Sequence, residues 1–399
     1  MKRNDWLTPA EQQDLIAFTQ ELVRIRSYSG QEEQIVRVIA QKMKSLGYDE
    51  VLIDAMGNVV GRIGNGEKSL MFDSHVDTVA VNDEEKWDIP PFNGEIVTGY
   101  LHGRGSVDMK SGAAASIYAG AIAHRLGFDS GRTIYVSCTV FEEDCDGENL
   151  KHLFKECQIK PDYMVICEPS GNLIALGHKG KAQIVIKTKG VSAHGSAPEK
   201  GINAIYEMAE IIQRVEKTNA ELMKKAAPRG TLVMSRISST SASLNAVPSE
   251  CDVYLDRRMA PGETKESIVK EMDAIIQGKN AIWEVGTLYR KSWTGMDIQY
   301  EPFHSAWKID LDHDLTKGCI RAYHDVFGSD PAAYDFWDFS TNAVTSVSMG
   351  IPTIGFGPGE YKLAHMVNER CSVSQIIEAC NFYTALIRQL DSGAFDTSR

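Results

Sequence analysis

Apolar positions along the first half of the chain switch repeatedly between two periods, and that switching predicts the fold class. Leu15, Phe18, Leu22 and Val23 recur at helical spacing, so a helix is expected to about Arg26. Thr8-Pro9-Ala10-Glu11 ahead of them has the form of a capping box with proline in the first turn. Ile35, Val36, Ile39, Met43 and Leu46 mark a second helix, with Gly47 as its stop. Short strands are expected at 51–54, 59–63 and 69–74. The Ala-, Gly- and Ser-rich stretch 111–125 reads as a helix. The runs 133–141 and 162–167 are β-branched and apolar, as strands buried on both faces are. Helices alternating with strands predict α/β architecture, with a mixed, mostly parallel sheet flanked by helices.

The pattern changes between residues 181 and 290. A strand at 181–189, a helix at 203–222, strands at 231–238 and 250–257, a helix at 265–277 and a strand at 281–289 follow in turn. This β-α-β-β-α-β order is ferredoxin-like. After it, Ile351-Pro-Thr-Ile-Gly-Phe356 resumes the apolar character of the first sheet. One domain, 1–180 with 291–399, is therefore expected to carry an inserted α+β domain, 181–290. The last helix is expected to open on a capping box, Ser372-Val-Ser-Gln375, and to end near Leu390.

At 399 residues, two domains are the default expectation. A net charge of −12 leaves no basic surplus for phosphates and argues against a nucleic-acid partner. No apolar run approaches the ~20 residues a bilayer helix needs. The first residues lack the apolar core of a secretory signal, and none of the 8 cysteines stands in Cys-x-x-Cys spacing. Reduced thiols and a cytoplasmic address follow as expectations.

The chemistry lies in six groups: His75, Asp108, Glu142, Glu143, Glu168 and His365. His75, Glu142, Glu143 and Glu168 each stand just beyond a predicted strand, where open α/β sheets bind ligands. Alone, His75 fits a hydrogen-bonded structural histidine, Asp108 a helix N-cap, Phe141-Glu-Glu-Asp144 a solvated acidic turn, and His365 a loop histidine. Together they offer imidazole and carboxylate ligands for zinc, cobalt or manganese. One aspartate can bridge two ions, and such a pair acidifies a shared water. Asp77, two residues after His75 and on the same face of a strand, suits a partner that fixes the ring's tautomer. Gly103-Arg-Gly105 lacks the spacing of a phosphate loop and is expected to form a tight turn that delivers Asp108.

These residues resemble the co-catalytic zinc metallopeptidase and aminoacylase family that includes acetylornithine deacetylase, succinyl-diaminopimelate desuccinylase and glutamate carboxypeptidase. The resemblance runs through Ser74-His-Val-Asp-Thr78, Gly103-Arg-Gly-Ser-Val-Asp-Met-Lys110, Glu142-Glu143, Glu168-Pro-Ser170 and Ala364-His365, and within the family it points to a selenium-metabolism-linked branch of hydrolases. It implies two divalent ions, zinc first and cobalt or manganese as alternatives. His75 and Glu168 would hold one, Glu143 and His365 the other, with Asp108 between them. It casts Glu142 as general base, with Asp77 behind His75. His194, in Ser192-Ala-His-Gly-Ser196, resembles a lid histidine that polarises the scissile carbonyl in the partner subunit's site. Asn245 and Arg258 resemble positions that hold a substrate carboxylate. The chain departs from the family at Phe141, where an aspartate is common, and at Lys110-Ser-Gly112, where Lys-Gly-Gly is common.

The resulting expectation is amide hydrolysis of an N-acyl amino acid or short peptide carrying a free carboxylate, by a homodimer joined through the inserted lid. Dipeptidase, carboxypeptidase and N-carbamoyl amino acid hydrolase activities share the same chemistry. A mononuclear iron oxygenase would use His75, Asp77 and His365 and leave Asp108, Glu143 and Glu168 idle. A non-catalytic binding protein is a further reading, against which Glu142 and the full ligand set speak.

Overall fold

The structure, a computed structural model, describes residues 5–389. Its main sheet has nine strands. Arg132–Thr139, Lys68–His75, Tyr163–Ile166 and Thr353–Gly355 lie side by side and parallel at its centre. Val59–Gly64 and Glu50–Ile53 extend one side antiparallel. Ala175–His178 continues the other side, followed by Trp307–Lys308, while Asp335–Trp337 also pairs with Ala175–His178. The mixed, mostly parallel sheet expected from the pattern is present.

Helices Pro9–Arg24, Lys110–Arg125, Val373–Gln389 and Asp314–Phe327 pack against one another in a layer beside it. The composition of Lys110–Arg125 has a steric cause: nearly every residue in it is buried. A Cβ on Gly112 would lie 2.4 Å from the Cys167 carbonyl oxygen, and one on Gly120 would lie 2.6 Å from the Tyr48 hydroxyl. Only small side chains let the helix come this close to the sheet.

Several boundaries differ from the periodic reading. The first helix has the expected capping box but ends at Arg24, because Ile25 turns extended and its carbonyl accepts from Lys110 Nζ at 2.7 Å. The strand expected to reach Phe141 stops at Thr139, and Phe141 takes a left-handed φ of 60° before the short helix Glu142–Cys145. The strand expected over 281–289 divides into Ala281–Val285 and Leu288–Lys291, the latter forming a hairpin with Asp297–Tyr300. Ser372 belongs to a strand, Arg370–Ser372, and Gln375 accepts from Gly359 N at 3.0 Å instead of closing a capping box. The expected end of the last helix at Leu390 lies outside the described residues.

The second sheet has five strands. Thr231–Thr240, Glu250–Met259, Gly180–Lys189 and Ala281–Val285 are antiparallel in that spatial order, with Phe303–His304 added against Gly180–Lys189. Helices Ala204–Met223 and Lys265–Ile276 close a separate apolar core around Ile184, Ile211, Leu255 and Met272. The chain passes between the sheets at 178–180 and returns at 304–307. There Gly180 lies so close to the returning strand that a Cβ would stand 2.4 Å from the His304 carbonyl oxygen. All eight cysteines are unpaired and all but Cys157 are buried. Among the described residues no helix is long and apolar enough to cross a membrane.

Gly112→Ala should destabilise the chain by about 1–3 kcal/mol, the usual range for an overpacked core, because the nearest obstacle is backbone. Urea unfolding checks this; an unchanged midpoint would show that the helix can retreat from the Cys167 backbone.

Candidate active site

Three neighbouring parallel strands deliver the first groups. Lys68–His75 ends on His75, Arg132–Thr139 leads to Glu142 and Glu143, and Tyr163–Ile166 leads to Glu168. All arrive at the carboxyl edge of the sheet, where no neighbouring strand consumes their side chains. Asp108 comes from a loop. Gly105, at φ 81°, makes its turn, Lys110 N closes onto the Gly105 carbonyl at 2.9 Å, and the Asp108–Met109 peptide is cis. The helix that follows is capped by Met109 without a side-chain bond, so Asp108 is not its N-cap.

The carboxylate of Asp108 stands between two imidazoles. Its Oδ1 is 2.9 Å from His75 Nε2 and its Oδ2 is 3.1 Å from His365 Nε2. His365 Nε2 is also 3.0 Å from Glu143 Oε2. Glu168 Oε1 and Glu142 Oε2 lie 3.7 and 4.0 Å from His75 Nε2. Ligand atoms of His75, Asp108 and Glu143, and again of His75, Glu142 and Glu168, all fall within 4.8 Å of one another. The six groups, separated by up to 290 residues in a chain of 399, therefore form one cluster.

Asp77 does more than sit behind the ring. His75 Nδ1 is 3.0 Å from the Asp77 carbonyl oxygen and 3.5 Å from its carboxylate, so the backbone is the nearer acceptor. The carboxylate accepts from Glu142 N at 3.0 Å, Glu143 N at 3.2 Å and Ser29 Oγ at 2.7 Å. It thereby fastens the Glu142–Glu143 turn to the end of the His75 strand. Phe141, the departure from the family pattern, is buried, and its amide donates to the buried Glu32 at 3.2 Å.

Burial raises the proton affinity of Glu142 and Glu168 well above the carboxylate range, and neighbouring carboxylates add to it. Glu143 is raised by burial and by Asp108. Burial pushes Asp108 up as well, but hydrogen bonds from both histidines outweigh it and hold its carboxyl low. Glu142 Oε1 is buried without a hydrogen-bond partner. Packed carboxylates, two imidazoles and an orphaned oxygen form a donor set that could hold metal ions.

All of the cluster but His75 lines a cavity of about 270 Å³, with Arg258, Lys181, Asp146, Phe339 and Tyr361 on its other walls. Arg258 projects there from the second sheet, where Lys181 is its cross-strand neighbour, and its guanidinium is 3.0 Å from Asp256. Asp146 and Lys181 escaped the sequence reading. They form a buried ion pair at 2.7 Å, and Tyr300 donates to the same Asp146 oxygen. Asp146 lies two residues beyond the acidic turn Phe141-Glu-Glu-Asp144, but nothing in the spacing marks Lys181. His194 and Asn245 are exposed and line no part of this cavity. Their loops touch each other, with Gly195 N donating to the Asn245 carbonyl at 2.6 Å.

Residues 71–389 match peptidase family M20/M25/M40. The chain belongs to that family. A protein of Escherichia coli (strain K12) described as uncharacterized protein YgeY is 38% identical over 379 residues, covering 94% of each chain. A succinyl-diaminopimelate desuccinylase of Psychromonas ingrahamii is 25% identical over 391 residues, covering 94% of this chain and 98% of its own. Among solved structures, a dinuclear metal binding peptidase of the M20 family from Bacillus subtilis superposes with a TM-score of 0.71 at 13% identity, covering 96% and 99% of the two chains. M20 membership makes the chain a metal-dependent hydrolase of amide or peptide bonds, and the oxygenase reading falls with it.

His365 donates to both Asp108 and Glu143, which holds its imidazole up to about 10, against the usual 6.5. Burial opposes the charged form of His75, yet its contacts with Asp108, Asp77 and Glu168 hold it well above 6.5 as well. In the metal-free chain these raised groups contribute stability that is fully present below 6.5 and is lost as pH rises through about 10. A cation bound at the same nitrogens would have to displace their protons. Apparent affinity for Co²⁺ or Mn²⁺ should therefore climb with pH, by up to about tenfold per unit for each proton released. Calorimetric titration at several pH values checks this; a pH-independent affinity would remove both imidazoles from the ligand set.

Proposed function

We propose that this M20 enzyme hydrolyses the amide bond of an N-acyl amino acid or short peptide that carries a free carboxylate, using two divalent ions. The observation that carries the reading is Asp108, whose separate oxygens meet His75 at 2.9 Å and His365 at 3.1 Å. That arrangement suits a bridging ligand. His75 and Glu168 would complete one ion's shell, and Glu143 and His365 the other's. Zinc fits the donor set, with cobalt or manganese as alternatives. The ion pair, when bound, supplies an acidified water and electrophilic assistance to the scissile carbonyl.

Glu142 is the general base of this scheme. It lines the cavity, its Oε1 has no partner, and burial favours its taking a proton. It removes a proton from the attacking water and returns it to the leaving amine. Asp77 aims it by holding its backbone amide. Arg258, whose planar fork matches a carboxylate, orients the substrate from the opposite wall, beside the cationic Lys181. Residues 181–290 serve as lid and dimerisation domain. The exposure of His194 and Asn245, away from the cavity of their own chain, supports their use in a partner's site within a homodimer. Unpaired cysteines support a cytoplasmic address.

Glu142→Gln should lower turnover by about 10²- to 10⁴-fold, the usual reach of general-base catalysis, with metal content unchanged by elemental analysis. Full activity in that variant would remove Glu142 from the mechanism. Co-expressed Glu142→Gln and His194→Ala chains should recover activity that neither has alone, since a mixed dimer rebuilds one complete site. Failure of that rescue in a verified mixed dimer would place His194 outside the partner's site. N-acyl amino acids, N-carbamoyl amino acids and dipeptides, each tried with zinc, cobalt and manganese, separate the candidate substrates.

A further inference from the structure

We propose that the buried Arg104–Glu369 ion pair is a brace that sets the Asp108 loop against the His365 loop and so fixes the spacing of the two ion sites. The inference rests on the reading of Asp108 and His365 as ligands. Neither residue belongs to a helix or strand, and His365 takes a left-handed φ of 63°. Regular backbone hydrogen bonding therefore does not hold either one, although Asp108 must meet both imidazoles at once.

Glu369 supplies the missing restraint from one side. It is fully buried, and its oxygens divide their work. Oε1 accepts from Val107 N at 2.8 Å and Asp108 N at 3.2 Å, while Oε2 accepts from Arg104 Nη1 at 2.6 Å. Arg104 restrains the other loop: Nη2 donates to the His365 carbonyl at 3.3 Å, and Nη1 is 3.5 Å from the Met366 carbonyl. The Trp87 ring covers the guanidinium, with its centroid 5.3 Å away. Gly103 N donates to the Glu369 carbonyl at 3.0 Å, and strands Tyr100–His102 and Arg370–Ser372 pair alongside. Two segments more than 250 residues apart in sequence are thus fastened at backbone and side chain, beside the ligands they carry.

Stability alone is a poor account of this pair. Burying two charges costs several kcal/mol of desolvation per ion, and apolar residues of similar volume often serve as well. Apolar residues could not grip the amides of Val107 and Asp108 while holding the carbonyl of His365. Neither Arg104 nor Glu369 lines the cavity, so they are positioning residues without substrate contact. Partners of this kind typically change metal affinity by about 10- to 100-fold.

The test titrates full-length metal-free protein with Zn²⁺ by calorimetry, and with Co²⁺ by its visible absorption. The wild-type chain should take two ions in resolvable steps. Glu369→Gln keeps an acceptor for the two amides but turns an NH₂ group toward Arg104. It should weaken the second ion, at the site that includes His365, by about 10- to 100-fold, and leave the first much nearer its wild-type affinity. Arg104→Lys preserves the charge and one donor, and should give a smaller loss confined to the same ion and a partial return of the Co²⁺ spectrum. It also decides the matter if Glu369→Gln does not fold. Wild-type affinities for both ions in the folded variants would overturn the brace, and so would an equal loss of both ions with a lowered melting midpoint. A wild-type chain that binds fewer than two ions would instead overturn the dinuclear reading, whatever the variants do.

Discussion

A single carboxylate held between two imidazoles is the constraint around which this molecule is organised. Asp108 cannot remain buried and ionised among Glu142, Glu143 and Glu168 without positive charge close by, and in the metal-free chain the protonated histidines supply it. Every element that reaches the cluster answers that demand. Three parallel strands bring one histidine and three glutamates to a common edge, a glycine turn brings the aspartate, and a loop after the last parallel strand brings the second histidine. The glycines packed against Cys167 and Tyr48 let the helix after Asp108 lie close to the sheet. Metal ions held there would relieve the same repulsion more completely than two protons can.

Much of this was legible in the sequence because it rests on periodicity or on strand ends. The two sheets, the order of the inserted elements and all six members of the charged cluster could be read from apolar spacing and from the polar residues interrupting it. What could not be read depends on contacts between distant segments. Glu369 stands four residues after His365 and looks like one more acid in a polar loop; only its complete burial beside Arg104 sets it apart. Lys181 opens a strand as any lysine could, and becomes informative only when paired with Asp146. The early ends of the first helix and of the Phe141 strand likewise have tertiary causes, a lysine capturing a carbonyl and a left-handed turn that no local pattern announces.

The wall facing the cluster has a different character. Lys181 and Arg258 sit side by side on the second sheet, whereas the carboxylates come from the first. The cavity is therefore a seam between two independently packed cores, with anionic and cationic sides supplied by separate parts of the chain. Asp146 crosses this seam: it follows the Glu142–Glu143 helix directly and pairs with Lys181 on the first strand of the insert. The Glu142–Cys145 helix and the cationic wall are thus linked by one buried charge pair.

The order of strands in the main sheet also bears on how the chain is made. Thr353–Gly355 lies between Tyr163–Ile166 and Ala175–His178, two strands synthesised long before it. Until residues 353–355 are made, neither of those strands has this neighbour to pair with, and unpaired strand edges are the kind of exposure that invites mispairing with other chains. The sheet can close only when its last central strand arrives, and the second histidine follows within ten residues. Filling of the last central place in the sheet and assembly of the charged cluster are therefore nearly one event in biosynthesis.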